Sequence, residues 1–259
     1  MNNLSDMIWI ELRKAIRSRM PLWTTLGSLF MPVSVALLIL LAKNPEISQK
    51  LGLISAKANL VAYTATDWSS YLILFAEMIS AGAFFFFILV ISWVFGREFA
   101  DGTLKDLLAV PVQRSIILLA KFIVVTAWSA VMAIVILIFG FVMGMMIQLP
   151  GGSLSVIIQG ITVAAITVCL VIAVVLPFAL VASVGRGYLL PMALAVLTLI
   201  MANLMMVVGW AEYFPWAVPI LYAQGESILN PISCWIVFIT SAVGMIGTYL
   251  WWKYADQNR

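Results

Sequence analysis

The sequence contains no histidine, only two cysteines, and few charged residues for its length. Without histidine, the chain lacks the commonest metal ligand and the usual general base near neutral pH. Cys169 and Cys234 both lie in apolar runs, which favours small hydrophobic side chains in packed helices over the alternative of a disulfide or a metal pair. We therefore expect no metal site in this chain.

Sequence motifs for common catalytic sites are also missing. The chain has no G-x-x-x-x-G-K-[ST] phosphate-binding loop, no G-x-S-x-G nucleophile elbow and no H-E-x-x-H zinc motif. A catalytic pair of carboxylates would need two acids inside the membrane, and only Glu77 is a candidate there. We expect no catalytic residues and no cofactor bound by this chain itself.

Apolar residues make up 64% of the 259 residues, and charged residues only 10%. A soluble domain carries roughly 25% charged residues, because its surface faces water. The mean hydropathy is +1.12. Since so few charges cannot cover a globule of this size, most of the surface must face hydrocarbon. The composition predicts an all-α polytopic membrane protein, with residues 1–259 in a single membrane domain.

Charge-free apolar runs predict six membrane-spanning helices, since each needs about 20 mostly apolar residues. The run from 122 to 185 holds 64 residues without a charge, and the Pro-Gly-Gly segment at 150–152 divides it into two spans. Pro177 predicts a kink in the fourth span. The predicted spans cover residues 21–42, 70–95, 116–147, 154–184, 187–208 and 232–252.

The positions of lysine and arginine predict the orientation, because these residues concentrate on the cytoplasmic side of a membrane protein. With the amino terminus inside, eleven of the fourteen fall on that side. Lys43, Lys50 and Lys57 fall outside, all in the first loop. We therefore expect a cell-membrane protein with both termini cytoplasmic. The same bias explains the net charge of +3 without a nucleic-acid partner.

Two further apolar segments do not span. Residues 5–20 place Ile8, Leu12 and Ile16 at helical spacing, which predicts an amphipathic interfacial helix. Its basic residues are Arg13, Lys14 and Arg17. Residues 209–231 are apolar but interrupted by prolines, which predicts a broken external hairpin at the membrane interface.

Four residues are candidates for translocation or gating. A carboxylate at bilayer depth is costly and by default functional, but Glu77 lies near the outer end of its span, where contact with interfacial water or a loop lysine is the alternative. For Asn203 the alternative is a hydrogen bond between helices. For the aromatic residues of the hairpin it is simple anchoring. The four candidates are Glu77, Asn203, Trp210 and Trp216.

The loop at residues 96–115 predicts a short amphipathic helix. Thr103 suits the helix cap, Leu104, Leu107 and Leu108 form an apolar stripe, and Pro111 ends the helix. Since short isolated helices are marginal in water, this one needs the membrane or the groove of a partner. An ordinary linker that obeys the positive-inside rule is the alternative.

This loop carries a family resemblance. The stretch Gly96-Arg-Glu, followed by Gly102-Thr-Leu-Lys-Asp-Leu-Leu-Ala-Val-Pro-Val-Gln-Arg114 and then Lys121, lies between the second and third of six predicted spans. In this position it resembles the transmembrane subunits of type-2 class ABC exporters. The small size and the absence of a nucleotide-binding domain make the chain most similar to bacitracin-resistance and lantibiotic-immunity permeases.

The resemblance implies the permease subunit of an ATP-driven exporter, with an amphipathic or hydrophobic cargo such as a peptide antibiotic, a drug or a lipid-like molecule. It implies as partners two copies of a separate ABC ATPase, which carries the ATP and magnesium, and a second permease chain, identical or a close paralogue. The implied ATPase-coupling residues are Glu98, Asp101, Gly102, Thr103, Leu104, Lys105, Leu107, Leu108, Pro111 and Arg114. Arg13, Lys14 and Arg17 are implied as a second contact.

Other functions stay open. A self-sufficient ion-coupled secondary transporter or channel usually shows several buried ionisable residues, and here only Glu77 qualifies. Nothing in the sequence favours a structural membrane subunit or a membrane enzyme. The apolar spans favour an amphipathic cargo over a small ion, although sodium export and self-protection against a bacterial peptide remain alternatives.

Overall fold

The computed structural model describes residues 4–43, 67–109, 111–225 and 230–254. Within them six helical segments are long and apolar enough to cross a membrane, which confirms the predicted number of spans and the all-α polytopic fold. The helices are α1 (Leu4–Arg17), α2 (Met20–Ser28), α3 (Phe30–Lys43), α4 (Trp68–Ala100), α5 (Leu104–Ala109), α6 (Arg114–Met146), α7 (Leu154–Val175), α8 (Phe178–Val184), α9 (Leu189–Val208), α10 (Val218–Ala223) and α11 (Pro231–Tyr254), with a 3₁₀ turn at Ala211–Tyr213.

The two longest helices, α4 and α6, have 33 residues each. At 1.5 Å per residue each is about 50 Å long, whereas the hydrocarbon core is about 30 Å thick. The ends of both helices therefore extend beyond the hydrocarbon or are accommodated by tilt. Asp67 caps the start of α4, where its carboxylate accepts from the backbone N–H of Ser70 at 2.9 Å.

Helix α4 packs at the centre of the bundle, against α6, α7, α8, α9 and α10. Glycines permit the closest approaches, as is common between membrane helices. A Cβ atom on Gly140 of α6 would lie 2.1 Å from the Phe75 ring, and one on Gly160 of α7 would lie 2.4 Å from Leu72. The Tyr71 hydroxyl also donates to the carbonyl of Gly140, at 2.5 Å.

Two of the spans are interrupted. The fourth comprises α7 and α8, which meet around Pro177, and this confirms the predicted kink. The first comprises α2 and α3, although the sequence predicted one continuous helix over 21–42. Pro32 explains the break, because proline has no N–H to donate to the carbonyl four residues earlier, at Ser28.

Antiparallel connections place the charged segments together at one end of the bundle. Here α1, the end of α4, α5, the start of α6 and the end of α11 meet, and the Arg114 guanidinium donates to the carbonyl of Trp252. We call this the basic end. At the opposite end, the turn end, the N–H of Trp68 donates to the carbonyl of Pro150 at 3.1 Å. The basic side chains described at the basic end are Arg13, Lys14, Arg17, Arg19, Arg97, Lys105, Arg114, Lys121, Arg186 and Lys253.

Candidate functional site at the basic end

A fully buried lysine lies at the centre of the basic end. The side chain of Lys121, in the second turn of α6, has no exposed surface. Its Nζ atom lies 2.7 Å from Glu98 Oε1 and 3.2 Å from Glu11 Oε2. It also donates to the carbonyl of Val94 at 2.9 Å. Lys121 therefore joins three helices, α1, α4 and α6.

Lys14 completes the arrangement from the side of α1. Its Nζ atom lies 2.8 Å from Glu11 Oε1 and 3.4 Å from Glu98 Oε1. We call Glu11, Lys14, Glu98 and Lys121 the charge cluster. With two cations and two anions it is neutral, as a group of charges removed from water must be to avoid a large desolvation cost.

The neighbours of Glu11 keep its carboxyl group ionised. Burial by itself raises the pKa of this carboxyl group, but the ammonium groups of Lys121 and Lys14 outweigh that effect and lower the pKa below its ordinary value. Glu11 is therefore ionised at neutral pH. The ion pairs and the pKa shift depend on each other, since each lysine would keep only Glu98 as an anionic partner if Glu11 became neutral.

The loop between α4 and α6 contains the predicted coupling residues. Gly102 turns the chain with a φ of +70°, a conformation that glycine adopts readily. The N–H of Leu107 then donates to the carbonyl of Thr103 at 3.1 Å as α5 begins. Of the predicted residues, those exposed are Asp101, Gly102, Thr103, Lys105, Pro111 and Arg114.

The remaining predicted coupling residues are placed differently. Leu104 is buried within the chain, at 6% exposure, and Leu107 is half-buried. Glu98, expected as a polar contact at the rim of a partner, is buried in the charge cluster instead. The reason is Lys121, which lies close enough to Glu98 to neutralise it only once α4 and α6 are packed together. The side chain of Leu108 lies outside the described residues.

A groove of about 370 Å³ lies between α1, α5 and the start of α6. Apolar side chains of Met7, Ile10 and Leu107 line it, and Glu98 and Arg97 reach it from α4. Within the described part of the chain, Glu98 Oε2 and Arg97 Nη1 are buried without a hydrogen-bond partner. The groove thus combines an apolar wall with charged and polar side chains, among them Lys14 and Asp106.

Comparison with known proteins identifies the family. A family model described as "ABC-2 family transporter protein" matches residues 7–203, from α1 into α9. The chain belongs to the ABC-2 transporter family. This permease is also 27% identical over 173 residues to the bacitracin transport permease protein BCRB of Bacillus licheniformis, over 64% of this chain and 82% of that relative. No solved structure matches it.

Family membership makes the chain a multi-pass membrane protein and the permease subunit of an ABC transporter. It also implies an ABC ATPase as the partner of this permease. The exposed loop residues and the charge cluster lie within the matched range. No group of His, Cys, Asp and Glu that could hold a metal ion occurs among the described residues.

Helix α1 of the permease has two distinct faces. Trp9, Leu12 and Ile16 are exposed, whereas Met7, Glu11 and Ala15 are buried against the bundle. Ile8, expected on the same apolar face, is half-buried. Arg13 and Arg17 are exposed, and Lys14 turns into the charge cluster. The hydrophobic pattern singled out Leu12 and Ile16, which are exposed, but missed the buried side of α1. A glutamate such as Glu11 is expected at the surface unless its buried partners are known.

The four translocation candidates lie in different surroundings. Asn203 is exposed on α9, and its amide donates to the carbonyl of Leu199 in the same helix at 2.8 Å, rather than to another helix. Trp210 is 64% exposed. Trp216 packs on α7, where its indole N–H donates to the carbonyl of Val174 at 3.0 Å. Glu77 is half-buried on α4, toward the turn end.

Proposed function

We propose that this permease is the membrane part of an ATP-driven exporter whose ATPase docks on the loop between α4 and α6. The observation that carries the proposal is that this loop leads directly into the charge cluster. Thr103 and Lys105 are exposed for contact, and Glu98 and Lys121 lie where α4 and α6 leave the loop. A force on α5 therefore acts on two spanning helices together.

The proposed orientation places the basic end in the cytoplasm of a cell-membrane protein, with both chain termini on that side. The basic side chains described at this end support it, because lysine and arginine are retained on the cytoplasmic side. Since the sequence has no phosphate-binding loop, ATP and magnesium would be bound by the ATPase. Two ATPase copies and two permease chains, identical or paralogous, would form the transporter.

The exposed apolar side chains of helix α9 support the proposal of a second permease chain. Leu189 and Val207 are 88% and 87% exposed in this chain. Such side chains must face lipid or another apolar protein surface. Since association of helices in a membrane depends on close van der Waals contact, a second copy against α9 would give these side chains packing contacts that they do not have within this chain.

The proposed cargo is an amphipathic or hydrophobic molecule, such as a peptide antibiotic, a drug or a lipid-like compound. The relative from Bacillus licheniformis is named as a bacitracin transport permease, which supports a peptide antibiotic as the cargo. The long apolar faces of α7 and α9 agree with a cargo that partitions into lipid. Residues 209–231 would lie at the outer leaflet, where such a cargo is released.

Co-purification with the ATPase tests the docking. Reversing the charge of Lys105 (Lys105→Glu) should weaken association and lower ATP-driven transport, because the side chain is exposed on α5. Lys253→Glu is the matched control, since Lys253 is exposed at the same end but on α11. Equal loss in both variants, or wild-type association of Lys105→Glu, would contradict docking on α5.

A self-sufficient ion-coupled carrier is the second candidate, favoured by one observation, the buried glutamates and lysines of the charge cluster. Such groups can carry protons in transporters. The two functions separate in liposomes that contain the permease alone. Cargo movement driven by a proton or sodium gradient without the ATPase would support the carrier, and movement only with ATPase and ATP supports the exporter.

A further inference from the structure

A second polar region lies at the turn end, outside the proposed docking site. Glu77 on α4 faces a cavity of about 270 Å³, which Ser70, Ile73 and Leu74 also line. The side-chain amide of Gln224, just after α10, lies within hydrogen-bonding reach of the Glu77 carboxylate. A carboxylate in a membrane span is costly to keep there, which marks this position for function.

A neighbouring cavity extends this region along α4. It measures about 210 Å³ and lies between α4, α7 and the end of α10. Its walls include Leu72 and Val156, with Ser69 and Gln159 as polar groups. Ile73 lines both cavities. The two cavities lie side by side along α4 with Ile73 common to both, and we call them together the turn-end groove. It has an apolar wall and a carboxylate at one end.

Among the described side chains, the ionisable groups discussed at the turn end are carboxylates. Asp67 is occupied as the cap of α4, where it accepts from both the N–H and the hydroxyl of Ser70. Glu212 accepts from the amide of Asn230 at 3.2 Å. No lysine or arginine within the described ranges forms an ion pair with Glu77. Glu77 is thus the carboxylate that this groove offers to a ligand.

We propose that the turn-end groove binds an organic cation with an apolar tail, whose ammonium or guanidinium group pairs with Glu77. The tail lies along Ile73 and Val156. A neutral amphiphile would leave the charge of the half-buried carboxylate without a counter-ion, since Gln224 supplies only a neutral amide. A hard metal ion such as calcium takes six to eight oxygen ligands, whereas the groove supplies one carboxylate. This inference rests on the proposed exporter function, since it names the chemical class of the cargo.

Photo-labelling of the full chain in lipid nanodiscs tests the groove. The probe is dodecylamine with a diazirine at the end of its chain, and its N-acetyl derivative is the matched neutral probe. For the wild-type protein we expect saturable labelling by the amine on peptides of α4 and α7. Glu77→Gln should weaken amine labelling about tenfold, or about 1.4 kcal/mol, because an ion pair shielded from water is stronger than an exposed one.

Matched variants distinguish a specific pair from a general effect. Glu77→Asp keeps the charge and should restore much of the amine labelling. Glu212→Gln removes an acid from the same end and should leave labelling unchanged, as should Glu77→Gln with the N-acetyl probe. Thermal unfolding verifies that each variant is folded.

Three results would overturn the proposal: amine labelling unaffected by Glu77→Gln, equal labelling by both probes, or an equal loss in Glu212→Gln. The ATPase is absent from this experiment. Failure of the permease to associate with an ATPase would therefore refute the exporter function without changing the labelling, and a failed labelling would leave the docking on α5 intact.

Discussion

Lys121 and Glu98 form an ion pair of 2.7 Å in which neither side chain exposes more than 6% of its surface. The pair joins α4 to α6 beside the loop that connects them. Since the two helices are the longest of the bundle, the pair fixes how their ends are spaced at the basic end.

Replacing Lys121 with methionine should strongly destabilise the protein. The change leaves Glu11 and Glu98 buried close together with only the partly exposed Lys14 to neutralise both, and breaking a buried ion pair costs about 3–5 kcal/mol. Thermal unfolding in nanodiscs measures the effect. The double variant Lys121→Met with Glu98→Gln should recover part of the loss, because the cluster is then neutral again, with Lys14 paired to Glu11. Lys105→Met, on the exposed face of α5, is the control and should change little.

Replacing Lys14 with methionine should instead loosen α1 alone. Lys14 is 30% exposed, so water replaces part of the lost interaction, and Lys121 still holds Glu11 and Glu98. We expect faster amide hydrogen exchange in residues 4–17 and little change in α4 and α6. Arg13→Met, an exposed position on the same helix, should leave the exchange of α1 unchanged. Faster exchange throughout the bundle would show that Lys14 has the same structural role as Lys121.

The contribution of Glu11 to stability should depend on pH in the acid range. Because the folded protein has the lower pKa, the stabilisation is fully present above the ordinary value of 4.5 and is lost as pH falls through the folded-state pKa. The free energy of unfolding of Glu11→Gln should therefore differ from wild type by a constant amount at neutral pH. The difference should shrink below about pH 4.5. An unchanging difference down to the lowest accessible pH would contradict the lowered pKa.

Enlarging Gly140 should separate α4 from α6. A Cβ atom there would lie 2.1 Å from the Phe75 ring, so Gly140→Ala forces the ring or the helix to move, at a cost of about 1–3 kcal/mol. Thermal unfolding measures the loss, and Phe75→Leu in the same chain should restore part of it. Gly247→Ala is the control, because a Cβ atom there would be 3.1 Å from the end of a flexible leucine side chain.

Much of the fold followed from local sequence features. The six spans are stretches of about 20 or more apolar residues. Whether such a stretch is long enough to cross the bilayer depends on that segment alone and not on its packing. The break at Pro177 also followed from one residue and its missing N–H. The break between α2 and α3 was missed, although Pro32 has the same property, because the hydropathy of the first span is continuous across it.

The candidate site was only partly predicted. The sequence singled out Glu98 and the residues after it by their resemblance to ABC exporters, and Lys121 stood in the same pattern. Their pairing, and the part that Glu11 takes in it, could not be derived from either helix alone. Glu11 and Lys121 are 110 residues apart, and no periodicity relates two helices that far apart in the chain.

The sequence by itself determined that this chain lies in a membrane, crosses it six times and concentrates its basic residues at one end. Hydropathy and charge are sums over neighbouring residues, so they can be calculated without knowing how the helices pack. Only the tertiary structure decided which charges are exposed and which are buried together. That choice depends on which helix ends meet, because an ion pair is stable out of water only where opposite charges lie within a few ångströms.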